Sequence, residues 1–107
     1  MLNRSTPMKR SRGKAANAAE RRHMDCVAAK GCCVCGAEAT IHHVTSDGFK
    51  RIARSHWLVV GLCPFHHFYQ WNSKTSVEAM GHAKFCAHWN RDLFEIANDN
   101  AAEALAA

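Results

Sequence analysis

Residues 32–67 read CCVCGAEATIHHVTSDGFKRIARSHWLVVGLCPFHH, and the expected architecture follows from them. It opens on Cys32-x2-Cys35 and closes on Cys63-x2-His66, two pairs of equal spacing with 27 residues between them. A two-residue spacer lets one tight turn present two side chains to the same tetrahedral ion, so the pairs read as halves of a single Cys3His zinc site. The doublet leaves Cys33 as an alternative to Cys32, and the usual spacer favours Cys32. Between the halves, β-branched Thr40-Ile41-His42-His43-Val44 predicts a short strand, and His56-Trp57-Leu58-Val59-Val60-Gly61-Leu62 predicts a second. Ser46-Asp47-Gly48 starts the loop that joins them. Cys63-Pro64 then opens a helix reaching about Trp71, with Pro64 in the first turn, where a missing N–H costs nothing.

On the N-terminal side, Ala15 to Ala29 is rich in helix formers, with Met24, Val27 and Ala28 on one face and Gly31 as the stop. Residues 1–14 are basic with few apolar groups and are expected to form a flexible arm. On the C-terminal side, Phe85, Trp89, Leu93, Phe94 and Ile96 recur every three to four residues. They predict one helix from about Val77 to Ala97, weakened at Gly81. The Ala-rich residues 99–107 read as a frayed tail. The expected architecture is therefore α+β, with one domain over residues 15–98 and helices flanking the two strands. Cys26 and Cys86 have no partner at metal spacing and read as small core residues. Trp57 and Trp71 read as core or rim packing.

With 107 residues there is room for one domain, and 48% hydrophobic against 21% charged residues marks a globular chain. No run of about 18 apolar residues occurs, so a membrane span is not expected. Met1 to Pro7 has no continuous apolar stretch, so a cytoplasmic setting is expected. There the six cysteines would bind metal as thiolates rather than form disulfides. A disulfide-stabilised secreted peptide is the weaker alternative. The net charge of +5 is lopsided: residues 1–30 carry eight basic and two acidic groups, residues 31–107 six and seven. A basic arm of this kind gives sequence-blind, salt-sensitive affinity for a phosphate backbone. Lys50, Arg51 and Arg54, in the loop between the strands, are candidates for phosphate contacts.

The eight histidines outnumber what one zinc needs. His42 and His43 are neighbours on a strand and so point to opposite faces. His67 directly follows the candidate zinc ligand His66, which fixes its direction. His56 begins the second strand, where a hydrogen bond to the loop is expected.

The order Cys-x2-Cys, a His-His pair on a strand, a second strand, then Cys-x2-His-His opening a helix resembles an HNH endonuclease of the zinc-braced ββα-metal fold. "HMDCVAAKGCCVCGAEATIHHV", "RIARSHWLVVGLCPFHH" and "GHAKF" are similar to small phage and prophage nucleases of the recombination-enhancement, RecA-dependent type. The likeness spans roughly residues 22–97, and "IHHV" and "LCPFHH" are its specific parts. It implies a DNA endonuclease in which Cys32, Cys35, Cys63 and His66 hold structural zinc. His42 would bind a catalytic divalent metal (Mg²⁺, Mn²⁺ or Zn²⁺), His43 would deprotonate the attacking water, and His67 would be the second ligand of that metal. His82 matches a histidine of the family's C-terminal segment and would complete the metal shell or touch the scissile phosphate. A recombinase filament is a partner by resemblance alone. The family's second knuckle is usually Cys-x2-Cys; the Cys-x2-His here leaves His66 and His67 both open as the zinc ligand. The competing class is a non-catalytic zinc-binding nucleic-acid or protein adaptor, which has no need of the surplus histidines.

Overall fold

A computed structural model describes residues 14–106, so nearly all of the expected basic arm lies outside the described residues. The elements follow in the order α1 (Ala18–Ala29), β1 (Thr40–His43), β2 (Val59–Leu62), α2 (Pro64–His67), α3 (Val77–Met80), α4 (His82–Trp89) and α5 (Leu93–Ala106). Helix α1 begins three residues later than its composition predicts because Asn17 caps it. The Asn17 side chain accepts from Glu20 N, and the Glu20 carboxylate accepts from Asn17 N, each at 2.9 Å. This reciprocal box satisfies two otherwise orphaned donors. The inward face of α1 is His23 and Val27. His23 donates through Nε2 to the Trp57 carbonyl at 3.0 Å and leans on the Trp57 ring, so it is a packing residue. Cys26 is exposed, not a core residue as expected: the buried stripe runs through His23 and Val27, and Cys26 falls beside it.

The two strands pair antiparallel, with Thr40 opposite Leu62, Ile41 opposite Gly61, His42 opposite Val60 and His43 opposite Val59. Every residue of β2 is buried. This strand is shorter than predicted at its start. Ser55 accepts from Trp57 N through Oγ and from Leu58 N through its carbonyl, which folds residues 55–58 into a turn. At Gly61 a Cβ would lie 2.6 Å from the Gly31 carbonyl oxygen, so only glycine lets the end of α1 sit directly on β2. Cys33 N donates to Gly61 O at 2.9 Å and locks the first knuckle there.

The helix expected through about Trp71 ends at His67 after one turn. Phe68 is extended, and Tyr69 N donates to Glu78 Oε1 instead of to the helix. Trp71 is exposed rather than packed, whereas Trp57 is half-buried. The single C-terminal helix predicted for 77–97 is three helices. Gly81 (φ +82°) breaks it at the predicted weak point, and Asn90 (φ +55°) breaks it again. The apolar spacing survives both breaks: Phe85 and Leu93 are fully buried, and Trp89, Phe94 and Ile96 pack against the same core. Residues 99–106 are not a frayed tail but the continuation of α5. Asn100, buried there, donates to the Val59 carbonyl at 3.0 Å and accepts from Lys30 Nζ at 2.9 Å. Lys30 also pairs with Glu103, tying α1 to α5. No helix among the described residues is long and apolar enough to cross a membrane.

Candidate functional site

The first knuckle is a turn closed by Cys32 N to Ala37 O and Gly36 N to Cys32 O, both 2.8 Å, with Gly36 at φ +79°. The second is the first turn of α2, where His66 N and His67 N both donate to the Cys63 carbonyl. The ladder between β1 and β2 brings the two turns together. The ligand atoms of Cys32, Cys35, Cys63 and His66 all lie within 4.8 Å of one another. Sγ of Cys35 and Cys63 are 3.7 Å apart, and His66 Nδ1 is 3.2 Å from Cys63 Sγ and 3.7 Å from Cys32 Sγ. A tetrahedron with Zn–S bonds near 2.3 Å and a Zn–N bond near 2.0 Å has S···S edges of about 3.8 Å and S···N edges of about 3.5 Å. These separations match such a site and are far too long for disulfides. The six cysteines are free. The group is thus a candidate metal site suited to zinc, with Cys32 rather than Cys33 and His66 rather than His67 in the cluster.

The electrostatics separate the two adjacent cysteines. Burial pushes the Cys33 thiol up to about 11, which keeps it protonated at neutral pH. Burial also opposes ionisation of Cys32, but backbone hydrogen bonds at Cys63, Cys35 and Val34 outweigh it, and the net shift is downward. Cys32 is therefore the better thiolate of the two.

Four of the remaining histidines form two pairs, one on each face of β1. His42 meets His67 edge-on, with ring centroids 5.1 Å apart. His43 meets His56, with centroids 5.0 Å apart and His43 Nε2 2.9 Å from His56 Nδ1. The alternation of the strand explains the division, since Thr40 and His42 share one face while His43 takes the other. Burial pushes His42 down to about 4, helped by the charges His67, His82 and His43 would carry. His43 is also pushed down to about 4, by burial first and then by Arg54, His56 and His67. Burial lowers His67 as well. His42, His43 and His67 are thereby shifted toward the neutral form, which can accept a proton or bind a cation.

Thr40 sets the tautomer of His67. Its Oγ1 donates to the Leu62 carbonyl at 2.7 Å and so must accept from His67 Nδ1, also at 2.7 Å. That leaves His67 Nε2 as the unprotonated nitrogen, available as a ligand. Neither Thr40 nor the His43–His56 contact was singled out from the sequence. The position of Thr40, two residues before His42 on one strand face, was the available signal.

Lys50, Arg51 and Arg54 are exposed on the loop between the strands. Asp47 shapes that loop by accepting from Phe49 N and Lys50 N, both at 2.8 Å. Of the three, Arg54 lies close enough to His43 for its charge to disfavour the imidazolium. His82 is half-buried at the start of α4, where Cys86 Sγ lies 3.6 Å from its Nε2. It lies within electrostatic range of His42, but it is not part of the compact ligand cluster. No protein-family model, curated protein or solved structure matches this chain.

Proposed function

We propose that the chain is a small metal-dependent DNA endonuclease of the HNH type, hydrolysing phosphodiester bonds in phage-type recombination or DNA processing in the cytoplasm. The observation that carries the reading is the meeting of His42 from β1 with His67 from α2, one residue beyond the Cys3His cluster. Two strands, a zinc knuckle and a helix turn that converge on neutral imidazoles are the parts such an enzyme needs.

His42 and His67 would hold a divalent ion such as Mg²⁺, Mn²⁺ or Zn²⁺, which when bound would supply positive charge opposite the leaving 3′ oxygen. The unprotonated Nε2 of His67 suits that task. His43 accepts the proton of the attacking water, since its lowered pKa keeps it neutral. Arg54, beside His43, holds the phosphate near the base, and Lys50 and Arg51 extend the basic surface along the backbone. His82 sits at the edge of the group, where a contact to the scissile phosphate is in keeping with its range from His42.

The test is nicking of supercoiled plasmid with Mn²⁺ or Mg²⁺ by wild type and His43→Ala, each with its zinc content measured. The expected result is metal-dependent nicking by wild type and a loss of at least roughly 100-fold in a variant that keeps zinc. Zinc and DNA binding without nicking would identify the non-catalytic adaptor instead. Equal, metal-independent activity in both proteins would remove the base assignment.

A further inference from the structure

His56 lies outside both strands, on the turn that Ser55 folds, thirteen residues after His43. Its two ring nitrogens have separate partners. Nε2 is 2.8 Å from the carbonyl oxygen of Lys14, and Nδ1 is 2.9 Å from His43 Nε2. A carbonyl oxygen can only accept, so His56 carries its proton on Nε2. In neutral His56 the other nitrogen is then an acceptor, and His43 must donate to it from Nε2. Neutral His43 has one N–H. Its Nδ1 is therefore left bare.

The geometry points to His56 as a positioning residue that holds His43 in the tautomer with an unprotonated Nδ1, the atom that takes the proton. The inference rests on the reading of His43 as the base. Every link has a fixed origin. Lys14 lies three residues before Asn17, whose reciprocal cap with Glu20 sets the entry to α1. Ser55 fixes the turn that carries His56, and His43 is held opposite Val59 by the strand register. The N-terminal entry to α1 thereby reaches a candidate catalytic side chain through one imidazole. A ring held at Nε2 also loses rotation about its side-chain torsions, so the bare nitrogen is oriented as well as deprotonated.

The relay makes a claim about protons that does not require cleavage to be observed. In the full-length, zinc-loaded chain, long-range ¹H–¹⁵N correlation spectra report which nitrogen of each histidine is protonated. The expected wild-type result is His43 and His56 both protonated at Nε2 and bare at Nδ1. His56→Ala should give His43 a mixture of tautomers and lower kcat for plasmid nicking roughly 10- to 100-fold, with KM for DNA unchanged. His56→Asn places a carbonyl oxygen near the position of Nδ1, and should restore the His43 tautomer and most of the rate.

His43 protonated at Nδ1 in wild type would overturn the assignment. So would a His56→Ala variant with unaltered tautomer and rate. A wild type with the expected tautomers but no nicking would overturn the nuclease reading and leave the hydrogen-bonded chain standing; nicking with the opposite tautomer would do the reverse.

Discussion

Cys32 and Cys33 are neighbours with different fates. Cys32 turns its sulfur to within 3.7 Å of His66 Nδ1, whereas Cys33 is fixed through its backbone, by Cys33 N to Gly61 O and by Arg91 Nε to Cys33 O. Cys32→Ser should therefore release zinc and unfold the knuckle, while Cys33→Ser should keep one zinc per chain; elemental analysis after a chelator wash separates them. Thr40 offers a finer test. Thr40→Val removes the acceptor that holds His67 at Nδ1 and should weaken divalent-ion binding at the His42–His67 pair roughly 10- to 100-fold while sparing the zinc. Isothermal titration with Mn²⁺ would show it, and an unchanged affinity would contradict the tautomer argument. The knuckle ligands were legible in the sequence because spacing alone brings Cys32 to Cys35 and Cys63 to His66. The roles of Thr40 and His56 were not, because their partners are 27 and 13 residues away and depend on strand register and loop folding.

At the scale of elements, β2 is the strand on which the helices converge. Gly61 admits the Gly31 carbonyl, and Val59 O receives the Asn100 amide from α5. Asn100→Ala leaves a buried carbonyl without this donor and should cost about 1–3 kcal/mol, read as a lower denaturation midpoint with an unchanged slope. Gly61→Ala forces a Cβ to 2.6 Å from the Gly31 carbonyl oxygen and should destabilise by a similar or larger amount, about 1–3 kcal/mol or more. A neutral result for either would show that α1 and α5 do not depend on these contacts. The apolar spacing from Phe85 to Ile96 identified the right buried face even though the continuous helix was wrong. Hydrophobic periodicity reports which side faces the core, whereas the Asn90 turn is a local backbone event in a left-handed conformation. The Ala-rich end gives no sign of its docking in the sequence because its anchor is a single polar side chain, Asn100, which carries no apolar signal.

Across the whole molecule, a small core is braced by the candidate zinc site and burdened by half-buried imidazoles held toward the neutral form. An unfolded histidine titrates near 6.5, whereas His42 and His43 are pushed down to about 4 in the fold. Between those values the unfolded chain binds more protons, so stability is complete above about pH 6.5 and falls as the pH drops toward 4. Denaturation midpoints from pH 7 to 5 should decline for wild type and decline less steeply for a His42→Gln/His43→Gln variant. Equal slopes would mean that zinc loss alone accounts for the acid sensitivity.

A nuclease of this kind needs one bracing ion site and one reactive imidazole site side by side, so bound-metal stoichiometry is the decisive measurement. Elemental analysis of the full-length chain, equilibrated with Mn²⁺ and then washed with a mild chelator, should find one retained zinc and one manganese that washes out and that His42→Ala fails to bind. One zinc per chain, with no exchangeable ion in wild type, would leave the His42–His67 pair without a metal and remove the reactive site.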